Sequence, residues 1–373
     1  MTKKQITVGI IGSRGIPSKY GGFETFTEYL SIALAENNYC VFVSCERSED
    51  QNFSNYKGVN LFYFPLKPPK SGFLRIIYEF LYDAYSLFWT SKKTDVILML
   101  GYSASFLFFI PKIGGKRLIV NPDGLEWKRS KFSRFIKFML KLSERVMVFW
   151  TNEIVADSLG IKNYLDYKYD LNCYFVPYGA TEHPLIYWDI KRLPEKINFI
   201  KPDDYWLVVA RLEPENNIIM IIKGYLKSSS KKPLIIVGDF SSENYRLEVE
   251  KLVSNDIEQK ILFVGSVYNK KLLLMLRQHC FAYVHGHSVG GTNPSLLEAM
   301  ISRNAILAHK NEFNQEVCDQ FAYYFKDSDD FKNKVQLMES RSLSHIKTEI
   351  YNRAKENYSW KEVFIKYLKI IRM

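Results

Sequence analysis

Short apolar runs alternate with helical spacings along almost the whole chain. Residues 6–11 form a mostly apolar run with the β-branched content of a buried strand, and residues 23–35 follow with helical periodicity. Further strand-like runs lie at 41–43, 61–64, 96–100, 118–120, 154–156 and 174–176, with helical patterns near 74–90 and 131–148. A polar, proline-bearing stretch at 193–204 interrupts the series. A second series then places strands at 206–210, 234–237, 261–264, 281–284 and 305–307, with helices near 216–227, 242–254, 269–278 and 294–302. An amphipathic segment from 358 to 371 closes the chain. Strands alternating with helices predict parallel sheets covered by helices, an α/β class. The pattern predicts two halves, 1–185 and 186–357, hinged near 180–200, and a last helix over 358–373 that packs back on the first half.

A chain of 373 residues is long enough for two such cores, and 47% hydrophobic with 24% charged residues is globular composition. The five cysteines (Cys40, Cys45, Cys173, Cys280, Cys318) are odd in number and lack metal-like spacing, which predicts reduced thiols in a cytoplasmic protein. The N-terminus leads directly into a strand, so no signal peptide is expected. No uninterrupted apolar run of about 18 residues predicts a membrane span. The formal net charge of +11 favours anionic partners. The lysines are dispersed and no nucleic-acid module pattern appears, so an anionic lipid surface or a diphosphate substrate is expected, and nucleic acid is not. The aromatic segment 73–89, flanked by Lys67, Lys70, Arg75, Lys92 and Lys93, reads either as a helix lying on a membrane surface or as a core-packed helix.

The candidate chemistry concentrates where strands end. His287-Ser288-Val289-Gly290-Gly291-Thr292-Asn293-Pro294-Ser295 is a loop of small residues running into a helix start, with Glu298 one turn inside. Unpaired N–H groups and the dipole at a helix start attract phosphate, and Glu298 can accept hydrogen bonds from a sugar or ribose. The competing reading is a capped surface helix. The loop follows a strand, where open α/β sheets bind ligands, and this favours the first. The first strand exits into Gly12-Ser13-Arg14-Gly15-Ile16-Pro17-Ser18-Lys19-Tyr20-Gly21-Gly22. That loop is longer than ordinary βα loops and carries two cations, Arg14 and Lys19, but has neither dinucleotide nor P-loop spacing. Asp123 and Glu126 follow another strand and can orient an acceptor hydroxyl; the alternative is a turn and a helix cap. Arg211 follows the first strand of the second half, where its planar fork suits a diphosphate. Gly238 and Gly265 mark two more strand exits. His285 and His287 have the spacing of a metal pair, but no acid or cysteine cluster supports one.

These pieces in this order resemble glycosyltransferase family 4 of the GT-B class. The stretches 11–17 and 20–24, together with Asp123-Gly124-Leu125-Glu126-Trp127-Lys128-Arg129, are similar to the branch of bacterial β-1,4 rhamnosyltransferases of capsule and cell-surface polysaccharide synthesis. The resemblance implies two Rossmann-like domains facing across a cleft, with the acceptor on the first and a nucleotide sugar on the second, and metal-independent retaining transfer. It implies that Arg211 neutralises the departing diphosphate and that Thr292, Asn293 and Ser295 give N–H groups to phosphate. Glu298 would hold donor hydroxyls, and Gly21 and Gly22 would touch the diphosphate. Arg14, Gly238, Gly265, His287 and Gly291 complete the donor side, while Asp123, Glu126 and Lys19 face the acceptor. The implied donor is dTDP-L-rhamnose, the acceptor a lipid-linked saccharide at the cytoplasmic face of the membrane. Two positions depart from the wider family: Gly290 stands in place of a glutamate and Asn216 in place of a lysine. They leave open a UDP- or GDP-sugar donor, a sugar-nucleotide epimerase, or a catalytically silent nucleotide-sugar-binding subunit.

Overall fold

The computed structural model describes residues 5–18, 21–47, 53–69, 73–122, 124–128, 133–254, 256, 260–289 and 291–373. Lys19, Asp123 and Gly290, and the side chain of Glu126, lie outside the described residues. The chain divides into two compact units, Met1–Tyr178 with Trp360–Met373, and Gly179–Ser359. The divisions fall at 178/179 and 359/360 because Ala180 donates its N–H to the Tyr358 carbonyl (2.7 Å) and bridges Ser359, which ties the start of the connecting segment into the second unit.

The first unit runs β1 (Thr7–Ile11), α1 (Gly22–Glu36), β2 (Cys40–Cys45), β3 (Asn55–Tyr56), β4 (Val59–Tyr63), α2 (Phe73–Lys93), β5 (Val96–Leu100), α3 (Phe109–Ile113), β6 (Arg117–Asn121), α4 (Arg134–Trp150), β7 (Glu153–Ala156), α5 (Leu159–Tyr169) and β8 (Tyr174–Phe175). The sheet order is β3-β4-β2-β1-β5-β6-β7-β8, parallel except for the β3–β4 hairpin. The central β5, Val-Ile-Leu-Met-Leu, is buried at all five positions, the continuous apolar run that a strand covered on both faces requires. The chain builds outward in opposite directions from β1 and β5, so the crevice above these two strands is the topological switch point.

The second unit runs β9 (Trp206–Val209), α6 (Ile218–Leu226), β10 (Leu234–Val237), α7 (Glu243–Val253), β11 (Ile261–Gly265), α8 (Lys270–Gln278), β12 (Ala282–His285), α9 (Pro294–Ile301), β13 (Ala305–His309), α10 (Glu312–Cys318), β14 (Tyr323–Phe325), α11 (Ser328–Glu339) and α12 (Ser344–Asn357). Its sheet is wholly parallel, β11-β10-β9-β12-β13-β14, with the switch between β9 and β12. Here the expected helix from 216 begins later. Residues 214–216 form one 3-10 turn, and Asn217 in the left-handed region (φ 51°) separates it from α6.

The last helix, α13 (Trp360–Arg372), belongs to the first unit. Trp360 stacks on Tyr29 of α1 at 4.5 Å, and the fully buried Tyr367 receives a hydrogen bond from Asn121 at the end of β6 (3.3 Å). Arg117 donates to the carbonyls of Ile370 (2.5 Å) and Ile371 (3.1 Å) while pairing with Glu153 (2.8 Å). A guanidinium there satisfies orphan carbonyls at the negative end of the helix dipole. Among the described residues no helix is long and apolar enough to cross a membrane.

Candidate functional site

In the second unit the exits of β9 and β12, neighbours at the switch point, are sewn together. Ser288 donates both its N–H (3.0 Å) and its hydroxyl (2.9 Å) to the Glu215 carbonyl. Asn217 donates to the Gly286 carbonyl (2.8 Å). Gly286 has no room for a side chain, since a Cβ there would lie 2.0 Å from the Asn216 carbonyl oxygen. Asn216 donates to the Arg211 carbonyl (2.7 Å), and its Oδ1 meets His287 Nδ1 at 2.9 Å. Because Asn216 Nδ2 is occupied by a carbonyl, Oδ1 faces the ring, and Nδ1 is the protonated nitrogen of His287. The residue that replaces the family lysine therefore holds two loops in register. His285 is buried behind them, with Nε2 unpartnered, and desolvation pushes its pKa well below the usual histidine range.

Arg211, about half exposed, reaches out from the β9 exit with Nη2 at 3.3 Å from the largely buried Glu213. Glu298 lies one turn inside α9, and its Oε2 is held at 2.6 Å by Arg277 of α8. Arg277 is only 6% exposed, and its Nε is buried without a partner. A buried guanidinium that is fixed on one carboxylate sets the rotamer of that carboxylate. Sequence reading missed Arg277 because it sits in an ordinary amphipathic helix, with no motif around it.

The start of α9 has two kinds of donor. Asn293 caps it, accepting from the Ser295 N–H (2.9 Å), and Pro294 occupies the first helical position. The Ser295 hydroxyl donates to the Val209 carbonyl (2.9 Å) and lies 2.5 Å from the Tyr283 hydroxyl. Ser295 is thus committed to the protein's own groups and is not a phosphate donor in this conformation, a correction to the sequence expectation. Gly291 is half-buried and Thr292 is buried beside the cap. The exits of β10 and β11 meet backbone to backbone. Gly238 (φ 145°) donates to the Gly265 carbonyl (3.0 Å), and a Cβ on Gly238 would lie 1.8 Å from the Ala210 carbonyl oxygen.

In the first unit, the β1 exit carries a carboxylate where an anion was expected to bind. Glu24, in the first turn of α1, accepts the Arg14 N–H at Oε1 (3.0 Å). A Cβ on the N-cap residue Gly21 would lie 1.9 Å from Glu24 Oε2. Glu24 therefore covers the N-terminus of α1 beside Gly21 and Gly22, where negative charge is favoured.

The crevice also holds a carboxyl that the sequence reading did not single out. Asp83 of α2 is buried, with one recorded partner, the Ser103 hydroxyl after β5, at 3.5 Å. Burial first, and then the charges of Glu79 and Glu46, push its pKa up to about 7. Next to it the Tyr82 hydroxyl donates to the Ser13 carbonyl (2.7 Å) and lies 2.9 Å from the Ser44 hydroxyl, at the exits of β1 and β2. A lone aspartate inside the aromatic run 73–89 was the available signal, because an unpaired carboxylate in an apolar helix needs a reason.

Comparison with known proteins agrees with this arrangement. Residues 5–181 match a family described as a domain of unknown function (DUF1972), and residues 189–357 match glycosyl transferases group 1. The chain is 25% identical over 377 residues to an uncharacterized glycosyltransferase of Methanocaldococcus jannaschii, covering 94% of each. Among solved structures it is similar to sucrose-phosphate synthase from Thermosynechococcus elongatus, with a TM-score of 0.80 at 12% identity over 99% of this chain and 98% of that one. It is also similar to Anabaena HepE solved with UDP-glucose, with a TM-score of 0.75 at 13% identity over 99% of this chain and 100% of that one. Residues 189–357 thus belong to the glycosyl transferases group 1, and the chain is a glycosyltransferase with the GT-B fold.

Proposed function

We propose that the protein is a retaining glycosyltransferase that moves L-rhamnose from dTDP-rhamnose to a lipid-linked saccharide at the cytoplasmic face of a membrane, in surface-polysaccharide synthesis. The observation that carries the donor side is the pairing of Arg211 and Glu298 on the sewn β9 and β12–α9 exits. Arg211 projects a half-exposed fork that can meet a diphosphate, and Arg277 presents the Glu298 carboxylate for sugar or ribose hydroxyls. In this reading Arg211, rather than a metal ion, neutralises the leaving group as charge develops on it. The first unit takes the acceptor, with Asp123, Glu126 and Lys19 assigned from sequence and Asp83 added from the crevice. Glu24 gives way to the donor phosphates at Gly21 and Gly22. The rhamnosyl assignment rests on Gly290 and Asn216, since a deoxy sugar needs fewer polar contacts than a hexose.

A UDP-sugar donor is the second reading, favoured by the similarity to Anabaena HepE, whose structures hold UDP and UDP-glucose. A donor panel separates the two. Purified protein is mixed with a synthetic lipid-diphosphate saccharide and dTDP-rhamnose, UDP-, GDP- or other dTDP-sugars, and the lipid product is weighed by mass spectrometry. A deoxyhexose increment with dTDP-rhamnose alone supports the first reading. A hexose increment from a UDP-sugar replaces it with the second, and no transfer from any donor despite nucleotide binding rejects both.

A further inference from the structure

We propose that the outward face of α4, continued by α3, docks the protein on an anionic lipid bilayer. The proposal deepens the membrane-facing part of the function above and rests on that reading. α4 is amphipathic in the inverted sense for a helix that covers a sheet. Its buried residues are Ser143, Glu144 and Met147, while Phe135, Phe138, Leu142 and Phe149 point to solvent. Their spacing of three, seven and fourteen residues puts them on one face. Phe135, Phe138 and Phe149 are 72%, 64% and 75% exposed, more than isolated surface apolar residues require.

The charges on α4 are sorted to match. Its one carboxylate, Glu144, is turned inward and saturated by the Trp127 indole N–H (3.0 Å), the Tyr164 and Tyr169 hydroxyls (2.9 and 2.7 Å) and Lys168 (2.8 Å). The charged side chains left on the accessible surface of the helix, Arg134, Lys137, Lys141 and Arg145, are all cationic. α3 extends the face with Ile113, 79% exposed, and with Phe109, which packs on Trp150 at 6.4 Å, and Lys112 lies beside them. An apolar aromatic face rimmed by cations alone is the pattern of a helix that lies in the interface of an anionic membrane. A protein partner would not need every exposed charge to share one sign. The helix that the sequence singled out, α2, also exposes Leu74, Ile76 and Phe80, but its Arg75 is neutralised by Glu46 (2.6 Å) and Glu79 (2.9 Å). α3 packs on α2, so that helix adjoins the docking face without supplying its charge.

The test is flotation of the purified full chain with phosphatidylcholine vesicles and with vesicles containing phosphatidylglycerol. Binding is expected to the anionic vesicles only, and to fall steeply with salt. The triple variant Phe135→Ser/Phe138→Ser/Phe149→Ser, and separately Lys137→Gln/Lys141→Gln/Arg145→Gln, are each expected to weaken binding by roughly tenfold or more with unchanged thermal melting. Equal binding by wild type and both variants, or no binding to anionic vesicles, overturns the proposal. So does a wild type that self-associates in solution through this face and becomes monomeric in the phenylalanine variant. Sugar transfer to a water-soluble acceptor is followed in parallel. Vesicle binding without transfer sinks only the functional reading, and transfer without vesicle binding sinks only this one.

Discussion

Replacing Asp83 with asparagine should stabilise the protein, and more so as pH rises. The native carboxyl ionises near pH 7 instead of 3.8, because burial and the neighbouring Glu79 and Glu46 disfavour its charge. Below about pH 4 it is protonated in folded and unfolded chains alike, and its favourable contribution is complete. Between the two values the unfolded chain gives up the proton while the folded chain keeps it, so stability falls by about 1.4 kcal/mol per pH unit. Above pH 7 the whole cost is present, on the order of 4 kcal/mol as an upper figure. Asparagine keeps the shape and can still meet the Ser103 hydroxyl, but carries no charge to bury. Urea unfolding of wild type and Asp83→Asn at pH 5, 6, 7 and 8 measures the difference. The variant's advantage should grow by roughly 2–3 kcal/mol from pH 5 to 7 and then level off. A constant difference across this range, or a variant that is less stable at pH 8, would refute the reasoning.

Three further outcomes follow from the packing. Arg277→Met frees Glu298 and should lower turnover by about tenfold to a hundredfold in a transfer assay, with little change in the circular dichroism melt; Arg277→Lys should not restore it, because an ammonium cannot reproduce the planar fork. Gly286→Ala drives a Cβ to 2.0 Å from the Asn216 carbonyl oxygen, and calorimetry should show a loss of about 1–3 kcal/mol or more in the second unit. Arg117→Ala removes the guanidinium from the Ile370 and Ile371 carbonyls and from Glu153, at a cost of about 1.5–3 kcal/mol; limited proteolysis should then release the segment after Trp360 faster than in wild type.

The α/β alternation was legible because parallel strands buried on both faces are short continuous apolar runs. Val96–Leu100 and Leu234–Val237 were delimited to the residue. Less visible were elements whose register depends on tertiary partners. The β3–β4 hairpin, α5 and β14 are short or weakly patterned, and α10 to α12 followed the last strand that periodicity marked. Of the site, Arg211 and Glu298 were readable from their places after strands, but the groups that fix them were not. Arg277 acts from a neighbouring helix, and Asn216 acts through a carbonyl and an imidazole that only the fold brings near. Ser295 was misread because a hydroxyl at a helix start serves a backbone carbonyl and a ligand equally well on paper, and the proximity of Val209 decides between them. The aromatic helix at 73–93 drew attention by composition, yet the helix with the cation-only rim is α4, whose carboxylate had to be seen turning inward.

The most direct test of the account is the sugar-transfer rate of wild type beside Arg211→Ala, with dTDP-rhamnose and the lipid-linked acceptor, and with nucleotide binding measured on the same preparations. The account predicts a deoxyhexose-bearing product whose rate falls by about a hundredfold to a thousandfold in the variant while the fold is retained. Undiminished transfer by Arg211→Ala, or nucleotide binding with no transfer by wild type, would contradict it.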